Sequence, residues 1–293
     1  MAYLKPERPE KVTAPSLKAS KERRERLVCL TAYDYPTARI VDEAGIDIIL
    51  VGDSLGNVVL GYGNTVPVTL EEILMHTRAV RRGVHRALLV ADMPYVSFHT
   101  GADDTVRNAL RLIKEGGAEA IKLEGGQKRV PLVKRLVDEE IAVMGHIGLT
   151  PQSVNKLGGY RVQGKTAAAA RQLLDDAYAL EDAGAFSIVL ELVPREIAQL
   201  ITEKISIPTI GIGAGADCDI QVLVIHDLLG LSFGKLPRFV RQYADLRQST
   251  TDAISRWADD VRNGTYPANE ESYGLPAEAA AELNIQKKEE TPR

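Results

Sequence analysis

The stretch Asp47-Ile48-Ile49-Leu50-Val51-Gly52-Asp53-Ser54 constrains the fold more than any other part of the chain. Four consecutive apolar residues without polar alternation suit a strand buried on both faces, and such strands belong to parallel sheets. Asp53 then stands where the strand ends, the edge at which open α/β sheets and α/β barrels bind ligands. A single acid in that place could equally cap the next turn. Repetition decides between the two readings. Residues 88 to 94 form an apolar run carrying Asp92, 120 to 126 carry Lys122 and Glu124, 142 to 148 carry His146, and 187 to 193 carry Glu191. Runs at 27 to 33, 208 to 215 and 221 to 225 bring the count of expected strands to eight.

Helix signals fall between the runs. Asp34 and Pro36 are helix-start residues, and Thr69-Leu70-Glu71-Glu72 is a capping-box sequence. The spacing predicts a long helix over 165 to 184 and a closing one over 238 to 263, with Ile254, Trp257 and Val261 packing inward. No linker rich in Pro, Ser or charge divides the series. The expectation is therefore one α/β domain, a single (β/α)8 TIM barrel over residues 27 to 264. A polar arm (1 to 26), whose basic run at 18 to 26 suits a solvated face, precedes it. A polar, alanine-rich tail (265 to 293) follows it.

Composition limits the partners. A net charge of -4 over 293 residues argues against a nucleic-acid or membrane-surface ligand. No apolar run approaches the ~20 residues that span a bilayer, and the N-terminus lacks the apolar core of a signal peptide. The two cysteines, Cys29 and Cys218, make neither a disulfide framework nor a cysteine zinc site. The expected compartment is the cytoplasm.

In a barrel, Asp53, Asp92, Glu124, His146 and Glu191 all point to one mouth. Carboxylates without cysteine favour a hard, oxygen-liking cation, so Mg2+ is expected over Zn2+. Lys122 and Glu124 lie two apart on one strand and project to the same side. In a core, that pair is costly unless its members meet each other or a ligand. Ser54 sits in no nucleophile motif and suits a hydrogen-bonding role. Gly211-Ile212-Gly213-Ala214-Gly215 does not fit the dinucleotide fingerprint and reads as a tight turn beside the site. Glycine-bearing loops at 56 to 67 and 157 to 164 are placed to lie over it.

The motifs Leu30-Thr31-Ala32-Tyr33-Asp34, Val51-Gly52-Asp53-Ser54-Leu55-Gly56, Ala91-Asp92-Met93-Pro94, Lys122-Leu123-Glu124-Gly125-Gly126, Met144-Gly145-His146-Ile147-Gly148-Leu149-Thr150-Pro151-Gln152 and Ile210-Gly211-Ile212-Gly213-Ala214-Gly215 occur in this order. They resemble the ketopantoate hydroxymethyltransferase family over about residues 12 to 265. Departures lie at Phe98-His99-Thr100, where the family has a Tyr-Gln-like sequence, and at Ile220, where it commonly has Gly.

The resemblance implies a barrel of the phosphoenolpyruvate/pyruvate type. It implies transfer of a hydroxymethyl group from 5,10-methylenetetrahydrofolate to 3-methyl-2-oxobutanoate (α-ketoisovalerate) through a Mg-stabilised enolate, giving ketopantoate for pantothenate and coenzyme A synthesis. The family's metal ligands fall on Asp53, Asp92 and Glu124, its substrate contacts on Asp53, Ser54, Asp92 and Lys122, and its proton acceptor on Glu191. His146 matches a site-lining histidine. A homo-oligomer, often a decamer, is implied as well. The alternatives are a carbon–carbon lyase or mutase of the same superfamily acting on another 2-oxo acid, which commonly needs a reactive cysteine or an extra loop acid, and a non-catalytic metabolite-binding scaffold.

Overall fold

The computed structural model describes residues 10–285. Eight strands form a closed, all-parallel barrel in chain order: β1 Leu27–Thr31, β2 Ile48–Val51, β3 Leu88–Asp92, β4 Ala120–Glu124, β5 Val143–Gly148, β6 Ser187–Glu191, β7 Thr209–Ile212 and β8 Ile220–Leu223. The barrel closes through the register Cys29 opposite Val222. This is the expected (β/α)8 fold. Helices of nine residues or more fill the connections from β1 to β7. Among the described residues β7 reaches β8 through a glycine turn without a helix, and a single helical turn, Ile225–Leu228, follows β8.

The unbroken apolar runs follow from burial on both strand faces. In β2, Ile49 and Val51 pack outward against the helices, while Ile48 and Leu50 fill the interior. The same alternation puts Leu88, Val90, Ala120, Met144, Val189 and Ile210 inside. One step further along the strands, the inward positions become Asp92, Lys122, Glu124 and His146. Strand periodicity thus stacks a charged layer on an apolar one.

The capping box forms as written in the sequence. The Thr69 backbone N–H donates to the Glu72 carboxylate at 2.7 Å, and the Glu72 N–H to the Thr69 hydroxyl at 3.2 Å, opening helix Leu70–Arg81. Asp34 caps helix Tyr35–Glu43 through the Thr37 N–H at 2.8 Å.

Two expectations need correction. The basic run of the arm is solvated at Lys18, Arg23, Arg24 and Arg26, as expected, but the helix that carries it is no loose arm. Helix Ala14–Glu22, capped by Thr13, inserts Leu17 (1% exposed) beneath the barrel among Cys29, Ile48 and Leu88. Lys21 pairs with Asp219 at 3.0 Å and also donates to the carbonyls of Thr202 and Ile207. The helix is polar in composition because only one narrow face enters the core.

The closing helix runs over Leu246–Asn263 and does not begin at Arg238. Phe239 instead packs on Gly213 of the turn after β7, where a Cβ would lie 2.9 Å from its ring. Asp245 then caps the helix through the Gln248 N–H. The chain separates into two compact units at 244/245. In the second unit, Ile254 and Trp257 are 58% and 56% exposed, and Trp257 meets Tyr266 edge-on at 6.4 Å.

Candidate active site

Register alone brings the chemistry together. Asp92 of β3 is paired with Lys122 of β4, and Glu124 of β4 with His146 of β5. The Lys122 ammonium lies 2.7 Å from Asp92 Oδ1, and both are almost wholly buried. Asp92 Oδ2 accepts the Asp53 backbone N–H at 3.0 Å, which ties the end of β2 to β3. Ser54 exchanges a hydrogen bond with the buried Tyr33 hydroxyl at 2.8 Å, in keeping with a hydrogen-bonding role.

Gln152, quoted in the β5 motif but given no role by sequence reasoning, organises the centre of the site. Its side-chain amide donates to Asp53 Oδ2 and to the Met93 carbonyl, both at 2.9 Å, and its backbone N–H donates to Glu124 Oε2 at 3.1 Å. One residue thus orients two carboxylates that lie on different strands.

The Lys122 ammonium also approaches His146 Nδ1 at 3.3 Å. An ammonium can only donate, so Nδ1 is the acceptor and the neutral ring keeps its proton on Nε2. Burial, and then the Lys122 charge, hold the His146 pKa well below the ordinary histidine range. Nε2 faces Glu191 Oε2 at 3.3 Å.

Backbone geometry aims Glu191. Gly148 has φ +92°, and a Cβ there would lie 2.3 Å from the Glu191 carbonyl oxygen, so only glycine lets β5 and β6 approach this closely. Leu192, the next residue, is held at φ +45°, a left-handed conformation costing on the order of 1–3 kcal/mol in a non-glycine residue. Its N–H donates to the Ile212 carbonyl, and its own carbonyl accepts the Gln163 N–H, both at 2.9 Å. This strain sits beside the candidate base and leaves no mark in the sequence.

Four carboxylates thus surround one ammonium. Burial first, and the neighbouring Asp92 charge second, push Asp53 up to about 7. Burial and Asp53 hold Glu124 well above the usual carboxylate range. Burial raises Glu191 to about 7, with Lys122 opposing the rise. Burial alone would depress the Lys122 ammonium, but Asp92, Glu124 and Asp53 outweigh it.

A cavity of about 710 Å³ opens over this layer. Asp53, Ser54, Asp92, Lys122 and Glu191 line it; Glu124 and His146 stand behind its wall. Both glycine-bearing loops reach it, through Asn57 and Thr65 on one and Tyr160 and Val162 on the other. A third loop, after β8, contributes Lys235 to Phe239, residues that sequence reasoning had partly assigned to a helix.

Among the described residues, no three His, Cys, Asp or Glu side chains converge into a complete metal site. The donor chemistry nevertheless suits a hard cation. Every candidate ligand is an oxygen, negative charge exceeds positive, and Glu124 Oε1 is buried without a hydrogen-bond partner. Mg2+ characteristically uses one or two carboxylates and completes its shell with water and substrate oxygens.

Comparison with known proteins agrees with the motifs. The sequence matches the ketopantoate hydroxymethyltransferase family over residues 11–269. It is 58% identical to the 3-methyl-2-oxobutanoate hydroxymethyltransferase of Koribacter versatilis, with 94% of this chain and 93% of that protein aligned. It is 56% identical to the Moorella thermoacetica enzyme of the same name, over 90% of this chain and 98% of that one. In three dimensions it resembles phosphonopyruvate hydrolase with a TM-score of 0.59 at 12% identity, covering 93% of this chain and 95% of that one, a likeness of fold alone. With the matched motifs supplying the strand-end residues of one continuous site, this chain belongs to the ketopantoate hydroxymethyltransferase family.

Proposed function

We propose that the enzyme transfers a hydroxymethyl group from 5,10-methylenetetrahydrofolate to 3-methyl-2-oxobutanoate, yielding ketopantoate, and that it uses Mg2+. One observation carries this reading. Glu191, with a pKa near neutrality, shares a cavity with the Lys122–Asp92 pair and with Asp53. A base and a cationic group facing one cavity from β6 and β4 are what proton removal beside a carbonyl requires.

Asp53 and Asp92 would hold the cation from the cavity side, and Glu124, behind the wall, would add its charge. When bound, it draws charge from the oxygens of the 2-oxo acid and so acidifies the neighbouring C–H. Lys122 donates toward the substrate carboxylate or the oxygen that gains charge, and Ser54, fixed by Tyr33, adds a hydrogen-bonding group at the end of β2. Glu191 takes the C3 proton, with His146 Nε2 3.3 Å from its Oε2. The resulting carbanion forms the new carbon–carbon bond to the one-carbon unit as the first of that unit's two bonds to folate nitrogen breaks; water supplies the hydroxymethyl oxygen as the second breaks, and the two nitrogens take up the proton held by Glu191 and one from the water.

The lyase alternative commonly needs a reactive cysteine or an extra loop acid. Cys218 precedes β8 at the opposite end of the barrel, and burial raises its thiol pKa. Apolar side chains exposed on helix Leu246–Asn263 support the proposal of a homo-oligomer, which light scattering tests. No helix among the described residues is long and apolar enough to cross a membrane. Ketopantoate formation from the two substrates, with and without Mg2+, tests the activity; product formed without folate, or undiminished after chelation, contradicts it.

A further inference from the structure

The cavity is far larger than a five-carbon oxo acid, and its volume falls in the ~300–1,000 Å³ range that accommodates a drug-sized ligand. Its charge is also segregated. The acids Asp53, Asp92 and Glu191 gather at the strand ends. Lys235 and Arg238 lie on the loop after β8, exposed, and among the described residues neither meets a carboxylate or any hydrogen-bond acceptor. Asp227, the remaining acid of the lining, accepts from the Ser232 hydroxyl and so pins the start of that loop; the Tyr243 N–H, donating to the Leu228 carbonyl at 2.8 Å, pins its end. The loop is therefore tethered at both ends, and its two cations are left uncompensated at the outer part of the site. Between floor and loop, much of the wall is apolar and aromatic, with Tyr160 and Phe239 among its lining residues.

An elongated ligand matches this arrangement if its reactive end lies inward, a planar ring system sits between, and a dicarboxylate points outward. Resting on the folate reading above, we infer that the outer part of the cavity is the folate subsite, and that Lys235 and Arg238 recognise the glutamate carboxylates. The arginine fork suits a carboxylate bidentately, and the lysine adds a point charge. Rings stack on the aromatic wall, which holds the one-carbon unit toward Glu191.

Calorimetry separates this inference from its foundation. Parental enzyme, with α-ketoisovalerate and Mg2+ present, is titrated with tetrahydrofolate and with tetrahydropteroate, which has the same rings and no glutamate. Parental protein should bind tetrahydrofolate tighter by on the order of tenfold or more, the worth of hydrogen bonds to charged groups. The double variant Lys235→Ala/Arg238→Ala should bind the two ligands alike, and Arg238→Lys should recover part of the preference. A melting curve checks that the variants are folded. If the double variant keeps the parental preference, or loses affinity equally for both ligands, the subsite assignment is wrong while the folate reading stands. If parental protein binds neither ligand and makes no ketopantoate from methylenetetrahydrofolate, the folate reading itself fails and the subsite fails with it.

Discussion

Replacing Glu191 with Gln separates a base from a structural acid, because the two roles predict opposite changes in stability. The parental carboxyl lies at about 7 against an ordinary value near 4.5, raised by burial. A raised acid is more easily ionised in the unfolded chain than in the folded one. Its contribution to stability is therefore complete below pH about 4.5 and is lost as pH rises through about 7. A shift of that size amounts to roughly 3 kcal/mol, at 16% side-chain exposure an upper figure. Gln never ionises, and it keeps the size of the carboxyl. At pH 8 the variant should therefore melt above the parent by up to about 6–12 °C, since ~1 kcal/mol corresponds to roughly 2–4 °C in a domain of this size. Its catalysis should collapse. Exchange of the α-ketoisovalerate C3 proton with deuterated water, followed by NMR without folate, isolates the proposed step. Parental exchange should rise with pH to a plateau through an apparent pKa near 7. The variant should exchange ~10²–10⁴-fold more slowly, a barrier increase of roughly 3–5 kcal/mol, and show no titration there. A variant that melts lower and exchanges at the parental rate would refute the reasoning, and would leave His146 as the next candidate base.

Asp92→Asn strips the charge from the partner of a buried ammonium 2.7 Å away, so it should cost ~3–5 kcal/mol in a urea melt as well as weaken Mg2+ binding by calorimetry. Asp53→Asn removes a carboxyl that burial holds at about 7; it should weaken Mg2+ binding yet stabilise the metal-free protein at pH 8, by the same sign argument as for Glu191. Lys122→Met should raise the α-ketoisovalerate KM and lower kcat, whereas a melt changed without a kinetic defect would assign Lys122 to structure alone. Leu17→Ala should cost ~2–5 kcal/mol through the cavity left beneath the barrel, with KM for both substrates unchanged; a neutral melt would show that the N-terminal helix does not close the core.

Much of this protein is legible along the chain. A strand buried on both faces has no polar position to spare, so the apolar runs are conspicuous, and an acid, lysine or histidine at their ends stands out. Period-two geometry is enough to put Lys122 and Glu124 on one side of β4, and both are found buried in the interior layer. Caps are equally local, as Thr69 with Glu72 illustrates.

What depends on distant neighbours is not written locally. Helix Ala14–Glu22 is polar nearly all round, and only the barrel above it makes Leu17 a core residue. Residues 238 to 245 have a helix-compatible sequence, yet Phe239 packs on Gly213 and joins no helical turn. The role of Gln152 needs Asp53, Met93 and Glu124 to meet across three strands, and the proton on His146 Nε2 needs Lys122 at Nδ1. The near-neutral pKa of Glu191 arises from burial that barrel closure creates and from the Lys122 charge that opposes it. Sequence by itself determined the strand count, the parallel sheet and the identity of the strand-end groups, because periodicity and residue chemistry act over a few neighbours. Tertiary structure alone decided which of those groups touch and which lose water, because pairing and desolvation depend on distances that only the closed barrel sets.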